Sequence, residues 1–288
     1  MRKGGVMTQE RVAADATAGD VTVGEPSGLA EQLTEHAEAI GLEAVVPTPE
    51  QERRLALLWA PQEPSTRGRP ARFTLDEVVT AGVAVADAEG LAGVTMRRVA
   101  REVGAGAMSL YTYVPGRDEL LDLMIDAAYA ELDLPDGDGS WRDGLIRYAD
   151  SFLSLYSRHP WLLDLNQWRL PLAPHVLDAE EAGLRVLAAT PLEPAQVVGI
   201  RDLLETFVHG LARESAKERR DGADTGINQD DYWSSQSHFW ETYFDTERYP
   251  TMTRMWLSGA FETDRSGTEK AIEPLLEAVE RAIAAVER

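Results

Sequence analysis

Cysteine is absent from the 288 residues, which excludes disulfides, thiolate metal sites and thiol nucleophiles together. No run of 18 apolar residues occurs, so no segment has the length and character of a membrane-spanning helix. The opening stretch MRKGGVMTQERVAADATAGD is polar and rich in Ala and Gly; without an apolar core it does not read as a secretory signal. The expectation is a cytoplasmic protein with no membrane partner. Sustained apolar–polar alternation is also missing, so strands are not expected. Basic residues are few, with 28 Lys and Arg against 49 Asp and Glu and a net charge of −21. That balance argues at first against nucleic acid as a partner.

The distribution of charge weakens the objection. Residues 1–66 carry a net −6 and residues 127–288 a net −13, but residues 67–126 carry only −2. Within that middle segment the cations cluster as Arg67, Arg69 and Arg72, then Arg97, Arg98 and Arg101, then Arg117. An acidic remainder repels DNA wherever the basic edge is not aimed at it, which suppresses non-specific binding.

What the chain does contain is helical periodicity throughout, in a composition that is 44% hydrophobic and 27% charged. The expected fold class is all-α, with a small N-terminal head of three helices joined to a larger helical domain. Residues ~1–26 read as an unstructured tail, followed by a helix over Leu29–Ile40 capped by Ser27. Thr48-Pro49-Glu50-Gln51 supplies an N-cap, a first-turn proline and a capping-box glutamine. The amphipathic face that follows, with Leu55, Leu58 and Trp59, calls for a surface to bury against. Ala60–Pro70, broken by Pro61, Pro64, Gly68 and Pro70, is a linker. Thr74 and Glu77 then form a second capping box, with Phe73 placed to staple onto Val78.

Further helices are expected from Thr95 to near Gly104, over Gly106–Tyr113, and from Pro115-Gly116 to ~Leu132. Pro135-Asp136-Gly137-Asp138-Gly139 is a break between domains. The resulting division is 1–66 as an N-terminal extension, 67–134 as the head and 140–288 as the larger domain. In the last of these, helices are expected over ~140–158, 160–169, 174–189, 194–220, 228–247, 250–258 and 267–286.

Within the head, Ala100 is a small residue suited to a helix crossing, Gly104 tolerates positive φ, and Val99, Val103 and Leu110 can clamp two helices together. This is the pattern of a helix-turn-helix, although a plain helical hairpin with a glycine C-cap shares it. The third helix adds weight to the first interpretation. Gly106, Ala107, Met108, Ser109, Tyr111, Thr112 and Tyr113 give a small, hydroxyl-rich surface with no carboxylate before Asp118. Such a surface can enter a major groove, contact thymine methyls and hydrogen-bond bases and phosphates. Core packing is the competing role for Tyr111, and capping alone the competing role for Thr95. Arg67-Gly68-Arg69-Pro70 is either a solvated linker or a basic arm for an adjacent minor groove.

The segment FTLDEVVTAGVAVADAEGLAGVTMRRVAREVGAGAMSLYTYVPGRDELLDLM, residues 73–124, resembles the DNA-binding domain of the TetR family of repressors. Ser109-Leu110-Tyr111-Thr112-Tyr113 stands where that family has its recognition-helix core. Met108-Ser109-Leu110-Tyr111 followed by Val114-Pro115-Gly116-Arg117 resembles a branch whose members often control antibiotic resistance or export in actinomycetes. The region Trp141–Asp164, with His159-Pro160-Trp161, is similar to that branch's tetracycline-repressor-type C-terminal domain.

The resemblance implies a ligand-responsive repressor that binds a palindromic double-stranded DNA operator as a homodimer and is released by a small-molecule inducer of apolar or drug-like character. It implies that Thr95, Met96 and Arg97 face a phosphate and that Gly106, Ala107 and Ser109 face bases. Tyr111, Thr112 and Tyr113 fall at base-edge and phosphate positions, and Arg117 at a phosphate anchor. Many relatives carry a polar or basic residue where Ala107 and Met108 stand, which shifts specificity here toward shape and methyl contacts. The helices Pro194–Arg220 and Gly267–Arg288 correspond to the family's paired dimer helices.

Six of the seven tryptophans lie in the larger domain. A helical bundle does not need so many, and some can line an apolar pocket. Trp168, Phe207, Trp233, Phe239 and Trp240 are the candidate lining residues, with His209 or Arg169 as polar contacts. Glu205 and His209 share the i, i+4 spacing of two metal ligands, but no third ligand is identifiable and no nucleophile–base motif occurs, so neither a metal, a cofactor nor an enzyme is expected. The alternative to a ligand-released repressor is a regulator acting through a protein partner of the N-terminal extension.

Overall fold

The computed structural model describes residues 73–261 and 267–287, together with 47–60 and a few positions between 32 and 41. The expected tail, most of the expected helix over Leu29–Ile40, and the arm with Arg67 and Arg69 lie outside the described residues. All described elements are helical.

One compact unit comprises residues 1–60. Its described helix α1, Pro49–Trp59, starts from the capping box read in the sequence, with Thr48 N donating to Gln51 Oε1 at 2.8 Å and Gln51 N to Thr48 Oγ1 at 3.2 Å. None of its residues is buried.

The other unit comprises residues 61–288 and begins, where described, with the head. Helix α2 is Leu75–Glu89, α3 Met96–Glu102, α4 Ala107–Leu110, and α5 Arg117–Tyr129, the last leading out of the head. Thr74 opens α2 through a reciprocal capping box, with bonds of 2.7 and 3.1 Å to Glu77. Gly104, at φ +69°, makes the turn between α3 and α4, and Ala105 N closes it onto Ala100 O at 2.7 Å. Val94, Val99, Leu110, Val114, Leu120 and Met124 are fully buried and form the head's core. Gly82 lets α2 approach α5 closely, since a Cβ there would lie 2.7 Å from Met124 Sδ.

The body is built on α6, Trp141–Arg158, which packs against α7 (Pro174–Ala188), α8 (Pro194–Thr225) and α12 (Thr268–Val286). Leu145, Tyr148, Ala149, Phe152, Leu155 and Tyr156 give α6 its buried face. The expected helix over 160–169 is two short 3-10 turns, Pro160–Asp164 and Gln167–Arg169. Asn166 divides them by capping the second turn with its own side chain, 3.1 Å from Trp168 N.

The single helix expected over 228–247 is also corrected. It is α9 (Gln229–Ser235) and α10 (Ser237–Thr242), followed by a turn and α11 (Pro250–Leu257). Ser235 Oγ donates to Tyr232 O, and Asp245 Oδ1 accepts from the backbone of Glu247 and Arg248; these local bonds compete with helix propagation. Aromatic rings in this stretch pack on one another around Trp240, with Trp256 at 4.8 Å, Phe239 at 5.1 Å and Phe244 at 5.2 Å between centroids. Among the described residues no helix is long and apolar enough to cross a membrane.

Candidate nucleic-acid interface and ligand cavity

The outer faces of α3 and α4 form an exposed edge of the head. Thr95 Oγ1 accepts from Arg98 N at 3.2 Å, which caps α3 and leaves the hydroxyl hydrogen able to reach an external acceptor. Arg97 and Arg101 are exposed. Met96 is not available: its side chain is buried because the first turn of α3 directs it into the core, so a phosphate role for that side chain is withdrawn. Arg98 is engaged by Glu89 at 2.7 Å and Glu102 at 2.6 Å, whose hydrogen bonds raise its pKa.

On and after α4, Gly106, Ser109, Tyr111 and Thr112 are exposed and Ala107 is half-buried. Tyr113 is half-buried, with its ring 4.7 Å from that of Phe73. Arg117 is exposed; its Nε donates to Val94 O at 2.8 Å and its Nη2 to Leu91 O at 2.9 Å, which braces the loop between α2 and α3. The sequence reading left Met108 out of the contact set, yet it is 81% exposed. Its position was legible, because Leu110 must face inward and a residue two positions away on a helix faces the opposite side.

The body contains a cavity of about 490 Å³ between α6, α7, α8, the end of α5 and the 167–169 turn. Tyr129, Tyr148, Phe152, Tyr156 and Trp168 supply aromatic walls, and Glu180, Arg201, Asp202, Glu205 and His209 supply polarity. The Tyr148 hydroxyl donates to Glu205 Oε1 at 2.6 Å. Arg201 binds Glu180 at 2.7 Å, Asp202 at 3.0 Å and Glu205 at 3.1 Å. Burial, reinforced by Glu205, pushes the Tyr148 phenol well up, and burial likewise raises Tyr129 and Tyr156. Burial, with Arg213 nearby, lowers His209, so its imidazole is neutral at neutral pH.

Among the described residues, two buried nitrogens in this lining, Arg201 Nε and His209 Nε2, have no hydrogen-bond partner. An unpartnered buried polar group costs about 1–3 kcal/mol, a cost that a polar atom of a bound molecule removes.

Of the candidate lining residues, Trp168 and His209 belong to the cavity and the other five do not. Arg169 lies on the same turn as Trp168 but outside the lining. Phe207 faces away from the cavity and is 43% exposed, because its neighbours Thr206 and Val208 occupy the inner side of α8. Trp233, Phe239 and Trp240 pack in the separate α9–α11 ring cluster. The residues missed are mainly tyrosines: Tyr148, Phe152 and Tyr156 recur every four residues on α6, a stripe visible in the sequence. Glu205 was weighed there only as a metal ligand. Among the described residues no group of three His, Asp or Glu is placed to hold a metal ion.

Burial raises the Glu205 carboxyl above its ordinary range, outweighing the Tyr148 hydrogen bond and the Arg201 charge that lower it. A carboxyl raised in the folded chain holds its proton more tightly there than in the unfolded chain. Its contribution to stability therefore falls as pH rises from the unfolded carboxylate range through the folded one. Glu205→Gln removes this slope. Urea titrations between about pH 4 and about pH 7 should show the variant gaining on the wild type as pH rises; a trend in the opposite sense contradicts the assignment.

Comparison with known proteins places this geometry. Residues 78–124 match the family model for bacterial regulatory proteins of the tetR family, and residues 134–279 match the tetracyclin repressor-like C-terminal domain. The chain is 41% identical over 205 residues to the HTH-type transcriptional repressor DrrR1 of Streptomyces coeruleorubidus, covering 70% of this chain and 76% of that one. Among solved structures, it is similar to apo ActR of Streptomyces coelicolor, with 26% identity, a TM-score of 0.58, and coverage of 76% of this chain and 96% of that one. ActR in complex with actinorhodin gives 26% identity, a TM-score of 0.59, and coverage of 74% and 96%. The chain belongs to the tetR family and is a transcriptional repressor rather than an enzyme.

Proposed function

We propose that the protein binds a palindromic operator as a homodimer through α3 and α4, and lets go when a small aromatic molecule fills the body cavity. The observation that carries the ligand half is the pairing of aromatic walls with two unpartnered buried nitrogens, Arg201 Nε and His209 Nε2. Trp168, 96% exposed at the cavity, offers a ring face for the ligand to cover. Glu180, Asp202 and Glu205 outnumber Arg201, so a basic nitrogen on the ligand is favoured. ActR, solved in complex with actinorhodin and with (S)-DNPA, supports ligand binding by a protein of this fold. The effector is accordingly drug-like, and the controlled gene one of export or resistance.

For the operator half, Thr95, Arg97, Ser109, Tyr111 and Thr112 make the contacts, Met108 meets thymine methyls, and Arg67 and Arg69 reach an adjacent minor groove. Two heads must address successive major grooves about 34–36 Å apart. The dimer forms through α8 and α12. Leu203 and Phe207, exposed at i, i+4 on α8, belong to that surface, which explains why Phe207 is not in the cavity.

The test is footprinting and fluorescence anisotropy on the promoter fragment beside the protein's own gene. A two-fold symmetric footprint is expected, weakened about tenfold or more by Tyr111→Ala together with Ser109→Ala. Actinorhodin and the flat aromatic cation proflavine are the probes for release, read by quenching of tryptophan fluorescence and loss of anisotropy. Absence of a specific footprint defeats the operator half. A footprint that persists while either probe occupies the cavity defeats the ligand half.

A further inference from the structure

Arg201 bridges two helices of the body. Its stem passes over Gly183 of α7, where a Cβ would lie 3.1 Å from Arg201 Cγ and from the Tyr148 ring. At the tip, Nη1 binds Glu180 of α7 at 2.7 Å and both oxygens of Glu205 of α8 at 3.1 Å, while Nη2 binds Asp202 at 3.0 Å. One cation thus holds three carboxylates, and all four side chains line the cavity. The Arg201 side chain is only 12% exposed, whereas those of Glu205, Glu180 and Asp202 are 34%, 42% and 59% exposed. The carboxylates therefore stay reachable by an incoming molecule while the arginine is packed among them.

Arg201 is an incomplete occupant of this place. Among the described residues its buried Nε has no hydrogen-bond partner, and a buried donor left unpaired is destabilising. A smaller cationic nitrogen could aim all its donors at the carboxylates without that penalty. An uncharged molecule has no such advantage. Burial raises the Glu205 carboxyl, opposed by the Tyr148 hydrogen bond and by the Arg201 charge. Withdrawing Arg201 without supplying another positive charge would leave Glu205 with burial and one hydroxyl alone, and removing one partner of such a pair is costly.

We propose that Arg201 is the specificity-determining residue of the cavity, a built-in stand-in for the ligand's own cation. A cationic nitrogen on the ligand displaces it from Glu180 and Glu205, while Asp202, the most exposed of the three carboxylates, keeps hold of the guanidinium. This rests on the cavity being the ligand site proposed above. Arg201 sets the threshold there: an uncharged aromatic molecule of the same outline leaves the arginine in place, and a cation must bind well enough to evict it.

The test uses the full chain without DNA, with proflavine as the cation and acridone as an uncharged tricycle of similar outline, both titrated by calorimetry. Arg201→Met should raise the ratio of proflavine to acridone affinity about tenfold. Glu180→Gln should cost proflavine about fivefold more in the Arg201→Met background than in the wild type, where the lost contact with the ligand is offset by the lost grip on Arg201. A third measurement needs no cavity variant to bind ligand. The Arg201 Nε–H of ¹⁵N-labelled wild type, assigned by its absence in Arg201→Lys, should exchange slowly with water in the free chain and with acridone bound, and rapidly with proflavine bound. Additive effects of the two substitutions on proflavine affinity overturn the proposal, as does an Arg201 Nε–H that stays protected in the proflavine complex; either result leaves the cavity a ligand site. Binding of neither probe overturns that role of the cavity as well.

Discussion

Trp161→Ala is expected to destabilise the body and the head together, by about 3–5 kcal/mol. Trp161 is among the largest fully buried side chains, at 2% exposure. It sits in the 3-10 turn that α6, α8 and α2 all contact, so truncation opens a void where the two domains meet. The substitution also removes the Nε1 donor to Asp87. Trp161→Phe separates the two contributions, since it keeps most of the ring volume and loses only the hydrogen bond; about 1–2 kcal/mol is expected there. Urea unfolding measures both. A cost below about 1 kcal/mol for Trp161→Ala would show that the cavity collapses freely and that the turn is not a keystone.

Leu110→Ala should separate DNA binding from ligand binding. Leu110 is the single buried residue of α4, a helix of four residues, and nothing else in that helix anchors it to the head core. Removing its side chain is expected to cost about 2–5 kcal/mol and to detach α4, with operator affinity falling roughly a hundredfold or more, equivalent to about 3 kcal/mol. The cavity lies wholly within the body and the end of α5, so probe binding there should stay within about twofold of wild type. Operator affinity within about threefold of wild type would mean that α4 is held by its flanking turns and not by Leu110.

The head was the more legible part of the chain because its signals are local. Thr74 with Glu77 announces a helix start through bonds made within four residues, and Gly104 announces a turn through its own φ. The cavity depends on which of several equivalent apolar stripes is left incompletely filled, and periodicity carries no information on that. Trp233 and Trp240 were expected to line a pocket, yet both belong to the α9–α11 cluster, while Trp161, noted only within the His159-Pro160-Trp161 motif, is core. Tyr148 and Tyr156 were indistinguishable from ordinary buried residues of an amphipathic helix. The surroundings of Arg117 and Met96 were not legible for the same reason: their partners, the Leu91 and Val94 carbonyls and the head core, are distant in sequence or hidden by the fold.

The Arg117 brace has a mechanical meaning. By gripping two carbonyls of the α2–α3 loop from the first residue of α5, it removes the slack that would otherwise let α5 swivel beneath the head. Helix α5 has 13 residues and is therefore about 20 Å long. Its far end carries Tyr129 in the cavity wall. As a rigid lever, a pivot of about 6° at that wall would carry the braced end sideways by about 2 Å, enough to take α4 out of register with a groove. Replacing Arg117 is expected to leave the protein folded but to loosen the grip of α5 on the head.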